Sequence, residues 1–278
     1  MSRTTLERRA RWARRLLLSL VALLTLFPLY WILVTSLQPL NQVLALPPHL
    51  FPWPPHWQSY SKAWEAAPFA RYYFNSLFVA LIIVGGQLIT SSLAAYALTW
   101  LRLPGRDALF FLILVGLMVP EQLTVVPIFL ELRALGWINT YQALIVPFLG
   151  SAFGIFLLRQ AFLQIPAPLI EAAKIDGASN LQILTRLILP NSKPALITLA
   201  ILNFIWHYND FFWPLIMTNS NHYRTLPVGL SMFFQGSGGL TPWNQLMAAD
   251  VFISLPLFLL FFLGQRFLVK GVVTSGLK

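Results

Sequence analysis

The chain has 278 residues, of which 57% are hydrophobic and only 10% charged, against about a quarter charged in an ordinary soluble domain, so a soluble globular reading is excluded. Its formal charge is +10, yet the basic residues sit between apolar runs and form no separate basic domain, which argues against nucleic acid as a partner. Cysteine is absent, which removes disulfides, thiol catalysis, iron–sulfur clusters and cysteine-based zinc sites.

In chain order, a basic N-terminus, residues 1–15, precedes a run from Leu16 to Ser61 with no Asp, Glu, Lys or Arg. Crossing a ~30 Å hydrocarbon core takes about 20 apolar residues in a helix. Hydropathy predicts six spans, at 16–37, 74–101, 108–130, 138–158, 195–217 and 247–267, within an all-α polytopic membrane domain covering 16–268. The first run is read as a retained span, since it is long for a cleaved signal and its removal spoils the charge sorting that follows. With six spans, only Lys62, Arg71, Arg133 and Arg224 fall on the side opposite the termini. The positive-inside rule then places both termini in the cytoplasm, with a tail at 269–278.

Two long external loops are expected. One, 38–71, is rich in Pro and Trp; the other, 218–246, is rich in Gly and Asn. Trp53 and Trp57 fit either an anchoring position at the membrane surface or a contact with something outside.

The longest cytoplasmic segment, 159–193, reads as a helix–turn–helix. Pro168 suits a first helical turn, Glu171 suits its electropositive end, and Gly177 suits a left-handed stop. Ser179 and Gln182 have capping-box spacing; Leu181, Leu184, Leu187 and Ile188 then form an apolar stripe that Pro190 is expected to end. Small residues at Ala172, Ala173, Gly177 and Ala178 leave a low surface that another protein can approach closely.

The stretch Glu171-Ala172-Ala173, Asp176-Gly177-Ala178 and Leu189-Pro190 resembles the EAA loop of ABC importer permeases. Resemblance to the carbohydrate uptake branch of that family, and most of all to the smaller permease of maltose-type systems, extends over Asn75-Ser76-Leu77, Ala94-Ala95-Tyr96-Ala97-Leu98, Leu103-Pro104-Gly105-Arg106 and Ile138-Asn139-Thr140-Tyr141. It continues through Asn209-Asp210-Phe211-Phe212-Trp213-Pro214-Leu215 and Trp243-Asn244. The resemblance implies that the loop docks on a cytoplasmic ATPase, with Glu171, Ala172, Ala173, Asp176 and Gly177 in the coupling segment. It further implies a heterodimer with a second permease, two ATPase subunits, an extracytoplasmic solute-binding protein and residence in a bacterial or archaeal cytoplasmic membrane. The tail is a weaker match to a segment that reaches the ATPase in related permeases.

No Gly-x-x-x-x-Gly-Lys-Ser/Thr run is present, so ATP hydrolysis is expected of a partner and no cofactor is expected here. His49, His56, His207 and His222 lack ligand-like spacing, and no catalytic set is evident. Glu121 and Asp210 lie in or near spans, where a carboxylate usually faces a cavity or a partner. Glu121, Trp206, Asn209 and Asp210 are therefore candidates for a substrate path, although interhelical pairing for Glu121 and contact with the second permease for Asp210 stay open. A maltose- or trehalose-like glucoside is the expected substrate class. Glycerol phosphate or a glycerophosphodiester is the alternative, and an ion-coupled secondary transporter is the alternative class, one that needs its own coupling-ion site.

Overall fold

The computed structural model describes residues 3–235 and 241–276, with side chains described over 11–232 and 241–265. The side chains of the tail, and those of Arg3, Arg8 and Arg9, lie outside the described residues. Every regular element among the described residues is helical. They run α1 (Arg3–Ser36), α2 (Leu40–Val43), α3 (Gln58–Glu65), α4 (Phe69–Trp100), α5 (Arg106–Gly116), α6 (Glu121–Ala134) and α7 (Tyr141–Ile145). A 3-10 turn (Val146–Phe148) leads to α8 (Ala152–Phe162), α9 (Ala167–Ile175) and α10 (Asn180–Gln182). A π-turn (Ile183–Ile188) continues into α11 (Leu189–Asn191), α12 (Lys193–Tyr208), α13 (Phe212–Met217), α14 (Leu226–Gln235) and α15 (Trp243–Gly276).

Four stretches among the described residues are long and apolar enough to cross a membrane: Arg11–Ser36, Phe69–Trp100, Tyr141–Phe162 and Trp243–Gln265. Two bent pairs bring the number to six if each counts as one span. The fold is thus the expected all-α polytopic one, but three of the six expected spans are broken. The run 108–130 is α5 and α6 meeting at 95°, with extended backbone at Pro120 between them. The run 138–158 is interrupted before Ala152, and 195–217 stops at Tyr208 and restarts at Phe212.

The chain divides into two compact units, Met1–Pro68 with Leu230–Leu255, and Phe69–Gly229 with Pro256–Lys278. In the first, the loop after α1 is tied down by backbone acceptors: Tyr30 donates to Leu50 O (2.6 Å) and the Gln38 amide to His49 O (2.7 Å). Asn244 of α15 donates to Ser59 Oγ (3.1 Å), while Tyr60 and Trp64 each set an edge against Phe252 at 5.5 Å. Trp53 and Trp57 remain exposed.

In the second unit α4 is the central helix and packs most extensively on α8 and α12. Small residues permit the approach: a Cβ on Gly86 would strike Leu149, and one on Gly154 would strike Ser91. Backbone that leaves helical geometry at membrane depth must find partners in protein. Here α4 supplies them, Gln87 donating to Phe148 O (2.8 Å) and Thr90 to Leu149 O (2.7 Å), while Ser151 caps α8 by accepting from Gly154 N (3.0 Å). Gln87 also accepts from the Asn203 amide and lies 3.1 Å from His207 Nε2, so one buried side chain joins the broken span to α12.

The motif residues Asn75, Asn139 and Tyr141 hold a second polar region, Asn75 and Tyr141 bonding each other and Asn139 bonding the neighbouring turn. Asn75, fully buried, donates to His222 O (2.9 Å) and Arg224 O (2.8 Å) and accepts from Tyr141 OH (2.7 Å). Asn139 adopts a left-handed backbone (φ 61°), which its short polar side chain tolerates, and its Oδ1 accepts from Asn219 N, Ser220 N and Ser220 Oγ at 2.9–3.1 Å. Together they pin the segment 219–224.

Candidate functional site

The loop between α8 and α12 is built as a helix–turn–helix, as its sequence predicts. Pro166 caps α9 and Pro168 sits within its first turn, where a missing N–H has no consequence. Gly177 is left-handed (φ 81°), its N–H meeting Lys174 O (3.1 Å) while that of Ala178 meets Ala173 O (3.0 Å). This 5→2 and 6→1 pair satisfies two of the carbonyls a helix end leaves open. Ser179 follows at once with a complete capping box: Ser179 N donates to Gln182 Oε1 (2.8 Å) and Gln182 N to Ser179 Oγ (3.3 Å).

Three local expectations need correction. Glu171 lies in the second turn of α9, since that helix starts at Ala167, and the helix-end field fades within the first turn. Leu181 is exposed, and Ile183 takes its place beside Leu184 and Ile188 in the buried row, because the π-turn shifts the register. Pro190 does not end the helix: the chain continues to Asn191 and then bends by 80° into α12. The wide turn before Pro190 removes the regular i−4 geometry with which its ring would clash.

The inner face of the loop is firmly anchored. Ile170, Ile183, Leu184 and Ile188 are buried against Ala95 and Tyr96 of α4, Leu158 and Phe162 of α8, and Leu199 of α12. The outer face carries Glu171, Ala172, Asp176 and Gly177 in the open, with Ala173 half-buried. Ile175 is 86% exposed and Leu181 62%, and nothing within 4 Å would meet a Cβ on Gly177. Two large apolar side chains beside a glycine with free space in front of it form a surface for a tightly approaching partner.

The second site is a cleft of about 310 Å³, near the lower end of ligand-pocket volumes. Glu121, Gln122, Trp206, Asn209, Asp210, Phe211 and Phe212 line it, so all four path candidates are brought together. The breaks in the spans make this possible. Glu121 is the first residue of α6, just past the bend, and Asn209, Asp210 and Phe211 fill the gap between α12 and α13. Asp210 has a structural duty as well: its Oδ1 accepts from Trp213 N (3.3 Å), and the buried Trp213 indole donates to Ala143 O (2.9 Å). Glu121 and Asp210 lie within electrostatic range of one another, Trp206 is 68% exposed, and the lining holds no Lys or Arg among the described residues. Gln122, Phe211 and Phe212 were not singled out for the site from sequence, although the two phenylalanines lie inside the stretch Asn209 to Leu215. Among the described residues no group of three or more His, Asp or Glu is placed to hold a metal ion.

Residues 87–274 match the family described as the binding-protein-dependent transport system inner membrane component. The sn-glycerol-3-phosphate transport system permease protein UgpE of Yersinia enterocolitica is 36% identical over 259 residues, covering 91% of this chain and 92% of that protein. Its counterpart of Agrobacterium fabrum is 32% identical over 273 residues, covering 96% and 97%. A chain of a bacterial ABC transporter involved in import of the acidic polysaccharide alginate superposes with a TM-score of 0.83 at 27% identity, over 96% of this chain and 98% of that one. With its helical span architecture and EAA-type loop, the chain belongs to the inner-membrane component family of binding-protein-dependent transport systems, as a multi-pass permease subunit of an ABC importer and not its ATPase.

Proposed function

We propose that the chain is one half of a heterodimeric permease that imports a neutral carbohydrate, an oligosaccharide of the maltose or trehalose glucoside kind. Two ATPase subunits and an extracytoplasmic binding protein complete the assembly. Domain 16–268 crosses the membrane six times with both termini cytoplasmic. The loop 159–193 then faces the cytoplasm, and Glu171, Ala172, Ala173, Asp176 and Gly177 seat it on an ATPase whose closure on ATP reorients the spans. The cleft is this half's share of the substrate path: Trp206 and the two phenylalanines offer faces for sugar rings, while Glu121, Gln122, Asn209 and Asp210 take hydroxyl hydrogen bonds.

The observation that carries the choice of substrate is the charge of the cleft. A phosphate is usually met by Arg, Lys or a bare helix N-terminus. Here the N-terminus of α6 opens on the cleft, but its own Glu121 occupies that position and Asp210 adds a second carboxylate. The names of the relatives favour sn-glycerol 3-phosphate as a second reading, with the cation then supplied by the other permease.

Asp210→Asn separates the two. Asparagine keeps a side-chain oxygen that can accept from Trp213 N, so the subunit still assembles, whereas Asp210→Ala removes that acceptor at a cost of about 1 kcal/mol and lowers the yield of complex. Uptake of a neutral glycoside by Asp210→Asn is expected to fall about tenfold through loss of a charge-assisted hydrogen bond. Uptake of an anion is expected to rise. Assays of both substrates on one membrane preparation decide the point, and failure of Asp210→Asn to assemble would place Asp210 in the permease–permease contact instead.

A further inference from the structure

The outer face of the loop 166–192 has a clear task under the coupling reading, but its inner face poses a mechanical question. A loop held only by apolar packing can slide over its support, because apolar contact is non-directional. Tyr96 removes that freedom. Its ring is 4% exposed within the cluster of Ile170, Ile183, Leu184 and Ile188, and its hydroxyl donates to Asn180 Oδ1 at 3.1 Å. Asn180 is the first residue of α10, inside the capping box of Ser179 and Gln182 and three residues after Gly177, so the bond grips the loop at its turn. About nine residues earlier, roughly 14 Å along the same helix, Gln87 is bonded to Phe148 O and Asn203 and lies beside His207, next in sequence to Trp206 of the cleft.

We infer that Tyr96 is the positioning residue that locks the loop to α4, making α4 a lever from the ATPase-facing turn to the buried Gln87 node beside the substrate path. This inference rests on the coupling reading of the loop. Motion of the turn is carried into one continuous helix, Phe69–Trp100, as a rigid displacement, and the Gln87 bonds then repack α12 and the broken span together. The route is a contiguous set of contacts, and its weight is a measurable coupling between Tyr96 and Asn180.

The chain has no cysteine, so introduced ones are unique within it. Nitroxide labels at Ile82→Cys on α4 and Arg186→Cys on the loop, both at exposed positions and neither part of the apolar face of Ile175 and Leu181, report the distance between lever and loop in the purified complex with its ATPase. With native Tyr96 one narrow distance is expected, both without nucleotide and with ATP and vanadate. In Tyr96→Phe the dominant distance is expected to lose about fivefold in population against displaced ones on nucleotide addition, the weight of one neutral hydrogen bond. Asn180→Ala should match it, the double variant should be no worse, and Asn180→Asp, which keeps an acceptor, should restore the narrow distance. A Tyr96→Phe distribution superimposable on that of native Tyr96, or additive effects in the double variant, overturns the inference. Cross-linking of Ile175→Cys to the ATPase through a cysteine-to-amine reagent tests the underlying reading separately. Without cross-linking the coupling reading fails; cross-linking with no effect of Tyr96→Phe defeats the lever alone.

Discussion

Gly177→Trp should leave the permease in the membrane and associated with its second subunit, yet lower uptake about 100-fold. Gly177 has a φ of 81°, so any side chain there costs about 1 kcal/mol of backbone strain. The space within 4 Å of a Cβ there is empty, so a side chain can leave the turn without a clash at its root inside this chain. The larger loss arises where an ATPase closes over the turn and meets the ring, at an overpacking cost of ~3 kcal/mol. Gly177→Ala separates the two contributions, since it carries the strain without the bulk. Gly136→Ala is a matched control, with the same left-handed backbone (φ 71°) and the same open space away from the loop. Uptake by Gly177→Trp equal to that by Gly177→Ala would remove the turn from the ATPase contact.

Asn75→Ala should be the most destabilising single change in the α4 region. The substitution strands two backbone carbonyls, His222 O and Arg224 O, and the Tyr141 hydroxyl, all of which Asn75 now satisfies. Each polar group left without a partner in a buried place costs about 1 kcal/mol or more, so a loss of ~3 kcal/mol is expected. Tyr141→Phe removes only one of these bonds and should cost about a third as much. Thermal unfolding of the purified complex in detergent reads both, and equal midpoints for Asn75→Ala and the native protein would mean that water replaces the amide at this node.

Much of this was legible in the sequence because the signals are local. Charge-free runs marked where the spans lie, Gly177 marked the left-handed stop, and Ser179 with Gln182 marked the capping box, all of which depend on residues within a few positions of each other. The breaks were hidden for the opposite reason. A hydropathy window of about 19 residues averages over a gap of three or four, so 117–120 and 209–211 disappeared inside apolar runs. What permits an opening at membrane depth is a donor from a distant helix, as Gln87 and Thr90 show for Phe148 O and Leu149 O, and periodicity carries no such information. Leu181 and Ile183 exchanged places because a π-turn departs from the 3.6-residue repeat on which an apolar stripe is drawn. Among the candidate path residues, Glu121 and Asp210 stood out because a carboxylate in an apolar run is rare. Phe211 and Phe212 are indistinguishable in sequence from phenylalanines that face lipid.

The most direct measurement is isolation of the complex through this chain from its own membranes, reconstitution with its binding protein, and assay of ATP hydrolysis with maltose, trehalose and sn-glycerol 3-phosphate in turn. Recovery of a second permease and an ATPase, with hydrolysis stimulated by a neutral glucoside and unaffected by sn-glycerol 3-phosphate, is the expected result. Stimulation by sn-glycerol 3-phosphate alone would contradict the reading of the carboxylate-lined cleft as a path for a neutral sugar.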